Sequence, residues 1–184
     1  MKTFENNTVA ITGTTGGLGR ELAFYLAGLG ADIIMLDRNT DRSLSLKEEI
    51  LSYYPKINIK NIKLDLTDID NVKEVTELLK KENLNVIIHN AGAYKIPREK
   101  CSTGYDNIFQ INFLSPYYMT KELLPHLREN GGRVVAVGSI AHNYSKQMRT
   151  TWIFLQEINA LLYMVTPRDT LCFLFTDSLK KKRE

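Results

Sequence analysis

The sequence predicts an α/β domain in which helices cover both faces of a parallel β-sheet. Short apolar runs alternate along the chain with amphipathic stretches of helical period. The runs are apolar at consecutive positions rather than at every second one, which indicates strands that are buried on both faces. The 184 residues suffice for one substantial core and are few for two. We therefore expect one sheet that binds its ligand at the carboxyl ends of the strands.

The first three strands and helices follow one another in regular alternation. Leucines three or four positions apart mark the first helix, Pro55 ends the second, and Thr67 or Asp68 can cap the third. The predicted elements are strand Thr8–Ile11, helix Gly17–Leu29, strand Asp32–Leu36, helix Thr40–Tyr53, strand Ile57–Leu64, and a helix on which Val72, Val75 and Leu79 share a face.

The pattern continues with strand Asn85–His89, a long helix at Asp106–Leu127 and a fifth strand at Arg133–Val137. Such an alternation makes a Rossmann-type, doubly wound sheet the economical fold. The pattern stops after the fifth strand, so we expect the sheet to be incomplete on its C-terminal side.

The amino-acid composition argues against several classes of protein. The net charge of +3 and the absence of a basic stripe before the last residues argue against a nucleic-acid partner. Cys101 and Cys172 cannot build a disulfide framework, and neither has neighbours at metal-ligand spacing, so we expect no metal and a cytoplasmic location. No apolar run is long enough to cross a bilayer and no signal peptide is recognisable, which predicts a soluble, unprocessed chain with no membrane partner.

A glycine-rich stretch, Thr12–Gly19 (TGTTGGLG), follows the first strand. Glycine at 13 lets the chain turn sharply, and glycines at 17 and 19 allow close approach of a pyrophosphate and of the helix to the sheet. The N-terminus of that helix would offer its N–H groups to phosphates. An ordinary tight turn is the alternative, but the position between strand and helix favours a dinucleotide site. The candidate residues are Gly13, Thr15, Gly17, Leu18 and Gly19.

Two residues of opposite charge stand at the end of the second strand. Asp37 is placed to accept hydrogen bonds from an adenosine ribose, as acidic residues do where the 2′-hydroxyl is free. Arg38 could instead pair with a 2′-phosphate, so the choice between NAD and NADP stays open. The alternative is that Asp37 caps the loop and Arg38 is solvated.

The chain resembles the short-chain dehydrogenase/reductase family over roughly residues 5 to 145. The resemblance rests on Thr12-Gly13-x-x-x-Gly17-x-Gly19, Asp65-Leu66-Thr67-Asp68, Asn90-Ala91-Gly92, Asn112 and the serine at the strand end, Ser139. It implies an NAD(P)-dependent oxidoreductase that transfers hydride between nicotinamide and a small carbonyl or alcohol substrate, and a homo-oligomer. Asp65 and Leu66 would then lie along the adenine, and Asn90, Ala91 and Gly92 would line the cofactor. Asn112 and Ser139 would belong to the catalytic set.

The family's Tyr-x-x-x-Lys pair is missing after Ser139. Tyr144 is followed four positions later by Met148 and Tyr163 by Pro167, while Tyr117 and Lys121 match the spacing but precede the serine. We therefore expect catalysis to be impaired in this copy. A dinucleotide-binding protein without catalysis, acting as a sensor or partner module, is the alternative.

The sequence changes character near Lys146. Residues 1–146 form the predicted NAD(P)-binding domain, and residues 147–184 form an atypical tail without glycine. A one-base shift of the codons from Leu162 permits Val-Tyr-Gly-Asn-Ala-Lys-Arg, which restores the missing pair. Out-of-frame translation and a genuine divergent tail are the two interpretations. In either case the fifth strand should be left as an exposed edge, which makes stability marginal and oligomerisation doubtful.

Overall fold

The computed structural model describes residues 3–138 and the backbone of a short strand at residues 172–173. The strands are β1 (Thr8–Thr12), β2 (Asp32–Asp37), β3 (Ile59–Lys63), β4 (Leu84–His89), β5 (Arg133–Ala136) and β6 (Cys172–Phe173). They form one parallel sheet in the order β3-β2-β1-β4-β5-β6. The order changes direction between β1 and β4, where a doubly wound sheet opens a crevice for a ligand.

The helices are α1 (Gly17–Gly28), α2 (Thr40–Tyr53), α3 (Ile69–Leu79), α4 (Asn107–Phe109) and α5 (Ser115–Glu129). A π-helical turn, Gln110–Leu114, joins α4 to α5. The long helix predicted at Asp106–Leu127 is therefore three consecutive helical segments rather than one regular helix. None of the helices among the described residues is long and apolar enough to span a membrane.

Each face of the sheet has its own buried apolar layer, which confirms the predicted two-sided burial. Alternate side chains of one strand point into different layers, because successive Cβ atoms alternate across a strand. One layer packs Ala10, Ile34, Leu36 and Ile87 against α3 and α5. The other packs Val9, Ile11, Ile33 and Met35 against α1 and α2.

The third strand is shorter than the predicted Ile57–Leu64. The backbone N–H of Asn58 donates to the Asp32 side chain at 2.7 Å instead of to a strand carbonyl, so regular pairing starts one residue later. The other predicted strands agree with the structure to within one residue, and helix α2 has the predicted bounds.

The prediction that the fifth strand is left as an exposed edge is wrong at two of its residues. Val135 and Ala136 pair in parallel with Cys172 and Phe173. An edge strand presents unpaired N–H and C=O groups that any extended segment can satisfy. Cys172 and Phe173, which belong to the apolar sequence LCFLF of the tail, supply such a segment.

Candidate functional site

The carboxyl ends of β1 and β4 are tied together by Thr12 and Asn90. The Thr12 hydroxyl oxygen accepts hydrogen bonds from the backbone N–H groups of Asn90 at 3.0 Å and Ala91 at 2.9 Å. In return, the Asn90 side-chain amide donates to the carbonyl oxygens of Thr12 at 3.0 Å and Gly13 at 2.9 Å. The turn after β1 is thereby held directly against the segment that follows β4.

Two glycines are required by the closeness of this packing. Gly13 has a φ of +71°, and a Cβ there would lie 3.0 Å from the Cα of Ala91. At Gly19 an added Cβ would overlap the Gly13 carbonyl and lie 2.6 Å from Nδ2 of Asn90. A side chain at Gly13 would push the turn away from Ala91, and one at Gly19 would push helix α1 away from the strand ends.

Helix α1 begins without a side-chain cap. Its N-cap residue is Gly16, and its first turn contains no acidic side chain. By contrast, Asn39 accepts from the backbone N–H of Arg42 at the start of α2, and Asp68 accepts from two N–H groups at the start of α3. The first N–H groups of α1 therefore have no such partner, and a helix N-terminus of this kind attracts anions.

Asp37 is turned into the protein at the end of β2, where only 3% of it is exposed. Its Oδ1 accepts from the backbone N–H groups of Thr14 at 2.6 Å and Thr15 at 3.3 Å. Its Oδ2 accepts from the hydroxyls of Thr14 at 2.5 Å and Ser43 at 3.0 Å. The side-chain amide of Asn61 donates to the Ser43 oxygen at 2.5 Å. The carboxylate therefore binds the glycine-rich turn from the protein interior.

A cleft of about 1270 Å³ lies over the strand ends. All the predicted cofactor-binding residues line it except Gly17 and Gly19, which lie at the start of α1. The exposed side chains of Arg38, Arg42 and Lys63 also line the cleft, near the ends of β2 and β3.

Asp65 and Leu66 follow β3 and also line the cleft. Oδ1 of Asp65 accepts from the backbone N–H of Thr67 at 2.9 Å and from its hydroxyl at 2.7 Å. The Leu66 carbonyl accepts from the buried Ser115 hydroxyl at 2.7 Å. These contacts fix the backbone of the segment that forms this wall.

Asn112 lies in the π-helical turn and clamps the segment after β4. Its Oδ1 accepts from the backbone N–H of Ala93, and its Nδ2 donates to the Ala93 carbonyl, both at 2.8 Å. Ser139 lies outside the described residues. The chain reaches the cleft two residues earlier, at Val137, whose N–H donates to the His89 carbonyl at 2.9 Å.

A model of the short chain dehydrogenase family matches residues 7–152. The chain belongs to this family. The short-chain dehydrogenase TIC 32 A, chloroplastic, of Brassica napus is 36% identical over 146 residues, covering 75% of this chain and 46% of the relative. Retinol dehydrogenase 12 of Mus musculus is 33% identical over 141 residues, covering 75% and 45%. The chain thus spans about half the length of the curated relatives it matches.

Solved structures of short-chain dehydrogenases have the same fold. One from Brucella melitensis, named as a glucose/ribitol dehydrogenase type, superposes with a TM-score of 0.73 at 23% identity, covering 94% of this chain and 76% of that one. One from Sphingobium yanoikuyae, in complex with NADPH, gives a TM-score of 0.70 at 21% identity, covering 86% and 66%. At these identities the likeness establishes the fold. Together with the family match, it makes this chain a short-chain dehydrogenase by family.

His89 is the residue before the Asn90-Ala91-Gly92 segment of this short-chain dehydrogenase, and it is buried. Its Nε2 is hydrogen-bonded to the Thr120 hydroxyl at 2.9 Å. Burial lowers the pKa of the imidazole to about 4, because the surrounding apolar side chains disfavour the charged form. The ring is therefore neutral at physiological pH, and its buried Nδ1 has no hydrogen-bond partner among the described residues. Among the described residues, no three histidine, cysteine or acidic side chains are grouped as metal ligands would be.

Sequence reasoning missed the side chains that hold the site in shape. Thr12 was part of the family motif, but its two accepted hydrogen bonds become visible only when β1 and β4 are adjacent. Ser43 and Asn61 lie on α2 and β3 with no sequence signal that links them to Asp37. The one indication in the sequence is that Ser43 is a polar residue on the helix face that also carries Leu46 and Ile50.

Proposed function

We propose that this chain is an NAD(P)-dependent oxidoreductase in which the cleft over β1 and β4 binds the dinucleotide. The proposal rests on one observation: the glycine-rich turn after β1 packs directly against Asn90, whose side-chain amide donates to the Gly13 carbonyl. This packing leaves the bare backbone of Gly16 and Gly17 open at the start of the uncapped α1 helix. A pyrophosphate needs this combination of close backbone approach and N–H donors.

The walls of the cleft support an orientation for the dinucleotide. The adenosine half would lie between the end of β2 and the Asp65-Leu66 segment. The nicotinamide half would lie over Asn90, Ala91 and Gly92, toward Asn112. When bound, the nicotinamide supplies or accepts the hydride that a carbonyl or alcohol substrate exchanges. The chain's own contribution is to hold the two reactants at the strand ends and to orient them.

The rim of the cleft favours NADP(H) over NAD(H). Arg38, Arg42 and Lys63 are exposed there, with Asp41 as an opposing charge. A guanidinium binds a phosphate through paired hydrogen bonds, so this rim suits the 2′-phosphate of NADP. Asp37, which would serve the 2′-hydroxyl of NAD, directs both carboxylate oxygens into the protein.

Ser139 and Asn112 are the proposed catalytic residues. The serine hydroxyl would donate a hydrogen bond to the substrate oxygen, and Asn112 would hold a water for proton transfer. The family's proton donor is a tyrosine whose pKa must fall from about 10, with the help of a lysine one helical turn away. Because the sequence after Ser139 has no such pair, we propose that this chain transfers hydride slowly.

A second function is favoured by that same missing pair. A chain that binds the dinucleotide but has no proton donor would act as a nucleotide-responsive partner rather than as an enzyme. Titration of NADPH, followed by the enhancement of its fluorescence, tests the binding. Its absorbance in the presence of a panel of aldehydes and ketones tests the turnover. Turnover would exclude the second function, and binding without turnover would favour it. Absence of binding would contradict both.

The domain division and the origin of the tail stay proposals. The family match extends to residue 152, six residues past Lys146, and the tail is described only at residues 172–173. We propose that residues after Lys146 are translated out of frame. Sequencing of this codon region with an intact mass of the expressed protein tests it, and an unaltered reading frame would reject it.

The cytoplasmic location and the homo-oligomer stay predictions, and one relative named above is chloroplastic.

A further inference from the structure

The second strand ends on a buried acid whose hydrogen-bonding capacity is fully used. An ionised carboxylate offers about four lone-pair positions. At Asp37 all four are occupied by donors of the protein: the backbone N–H groups of Thr14 and Thr15, and the hydroxyls of Thr14 and Ser43. A ribose hydroxyl that approached Asp37 would find no acceptor site, and only 3% of the residue is exposed.

We propose that Asp37 is a positioning residue that holds the phosphate-binding turn and does not bind ribose. Ser43 and Asn61 are positioning residues that act through it. This inference rests on the proposed binding of a dinucleotide in the cleft, and it assigns a role to three side chains of the chain's own β2, α2 and β3.

The bonds of Asp37 determine where the turn lies. Gly13 donates its N–H to the Leu36 carbonyl at 2.9 Å, and the next two N–H groups, of Thr14 and Thr15, both point to Asp37. Three consecutive residues of the turn are thus bound to the last two residues of β2. Helix α1 begins at Gly17, only two residues further, so its N-terminus is positioned by the same bonds.

The remaining members of the network fix the direction of the hydroxyl protons. Asn61 donates its amide N–H to the Ser43 oxygen at 2.5 Å, which leaves the single Ser43 proton for Asp37. Ser43 is 2% exposed and Thr14 is 0% exposed, so water does not compete for these bonds. A buried carboxylate without a cation is tolerated when it accepts several such hydrogen bonds.

The two roles of Asp37 predict different effects on the two cofactors. A ribose ligand contributes chiefly to NADH, whose 2′-hydroxyl it would accept. A residue that positions the turn contributes equally to NADH and NADPH, because both have the same pyrophosphate. The ratio of the NADH dissociation constant to the NADPH dissociation constant therefore distinguishes a ribose ligand from a positioning residue. A loss of folded protein cannot imitate a selective effect on NADH, because it leaves this ratio unchanged.

The experiment measures dissociation constants of NADPH and NADH by fluorescence for the full chain and for Asp37→Asn, Thr14→Val and Ser43→Ala. Asp70→Asn is the matched control, because it removes an exposed acid that pairs with Lys73 and lies outside the cleft. We expect both constants to rise about tenfold in Asp37→Asn and Thr14→Val, with their ratio unchanged. Thr14→Ser, which keeps the hydroxyl, restores wild-type affinity.

A selective loss of NADH affinity in Asp37→Asn would overturn the inference, as would wild-type affinity in Thr14→Val. Amide hydrogen exchange of Thr14 and Thr15 provides a measurement that needs no nucleotide. We expect protection in the wild type and its loss in Ser43→Ala, and unprotected amides in the wild type would also overturn the inference. If the wild type protects both amides but binds neither nucleotide, the proposed function fails, and the coupling of Asp37 to the turn still stands.

Discussion

The hydroxyl oxygen of Thr12 accepts the backbone N–H of Asn90 at 3.0 Å, across 78 positions of sequence. The same oxygen accepts the N–H of Ala91. One side chain at the end of β1 therefore satisfies two backbone donors at the end of β4. This contact joins the glycine-rich turn, the proposed site of the phosphates, to the Asn90-Ala91-Gly92 segment, the proposed site of the nicotinamide.

Replacing Thr12 with valine should destabilise the protein. Valine has the shape of threonine but no acceptor, so two N–H groups in this part-buried corner lose their partner. We expect a loss of about 2 kcal/mol in the free energy of unfolding, measured by urea denaturation. Thr12→Ser keeps the acceptor and is the control; an equal loss in both variants would assign the effect to packing instead.

Replacing Gly19 with alanine should displace helix α1. The new methyl group would overlap the Gly13 carbonyl and crowd the Asn90 amide, neither of which can move without breaking the contacts of the turn. Overpacking of this kind costs about 1–3 kcal/mol, which denaturation measures.

Gly16→Ala is the matched control for Gly19, because a Cβ at Gly16 meets nothing within 4 Å and its φ of −173° suits any residue. Its unfolding free energy should fall much less than that of Gly19→Ala, by about 0.5 kcal/mol, because only the preference for glycine at the N-cap is lost. If Gly16→Ala were as unstable as Gly19→Ala, the close approach of α1 to the strand ends would not be the cause.

Replacing Arg38 with leucine should weaken the binding of NADPH and leave that of NADH unchanged. The guanidinium would pair with the 2′-phosphate, which NADH does not have. We expect the dissociation constant of NADPH to rise at least about tenfold. Lys73→Met, which removes a cation outside the cleft, serves as the control. Equal losses for the two nucleotides would contradict a 2′-phosphate contact at this residue.

The stability of the protein should fall as the pH drops from about 6.5 to 4, in part because of His89. The pKa of this imidazole is about 4 in the folded protein and about 6.5 when the chain is unfolded. The unfolded chain therefore binds the proton first, so the stabilisation is complete above pH 6.5 and is lost as the pH falls toward 4. The loss from this group is on the order of 3 kcal/mol.

His89→Gln isolates that contribution. Glutamine keeps a polar group near Thr120 but does not titrate. Urea denaturation at several pH values should therefore give a shallower decline for the variant, and the difference from wild type should be confined to the interval between the two pKa values. Parallel curves for the two proteins would show that His89 is not buried in its neutral form.

The sequence predicted the order of strands and helices because the periods of apolar residues are strong signals. The run from Ile33 to Leu36 is apolar at successive positions, and Pro55 marks the end of α2. The π-helical turn escaped prediction, since one extra residue per turn at Gln110–Leu114 changes the apolar period too little to be seen. Pairing of Val135 with Cys172 depended on the tail, which has no helix or strand period of its own.

The candidate site also has a part that the sequence could predict and a part that it could not. The glycines after β1 and the Asn90-Ala91-Gly92 segment could be proposed from the sequence, because each group follows an apolar run that is recognisable as a strand. The direction of the Asp37 side chain could not, because it depends on donors from three other elements. Whether an acid at a strand end faces a ligand or the protein is decided by such neighbours, here Thr14 and Ser43.

The bond between Thr12 and Asn90 also sets an order of events while the chain is being synthesised. When the ribosome has made the glycine turn, β1 can pair with β2 as soon as that strand emerges, but its partner on the other side is still missing. Only after β4 has left the exit tunnel do Thr12 and Gly13 acquire their contacts with Asn90. Although Thr12 precedes Asn90 by 78 positions, the glycine turn should therefore become able to hold a nucleotide only after β4 has emerged, and nascent chains that stop before residue 90 should not bind one.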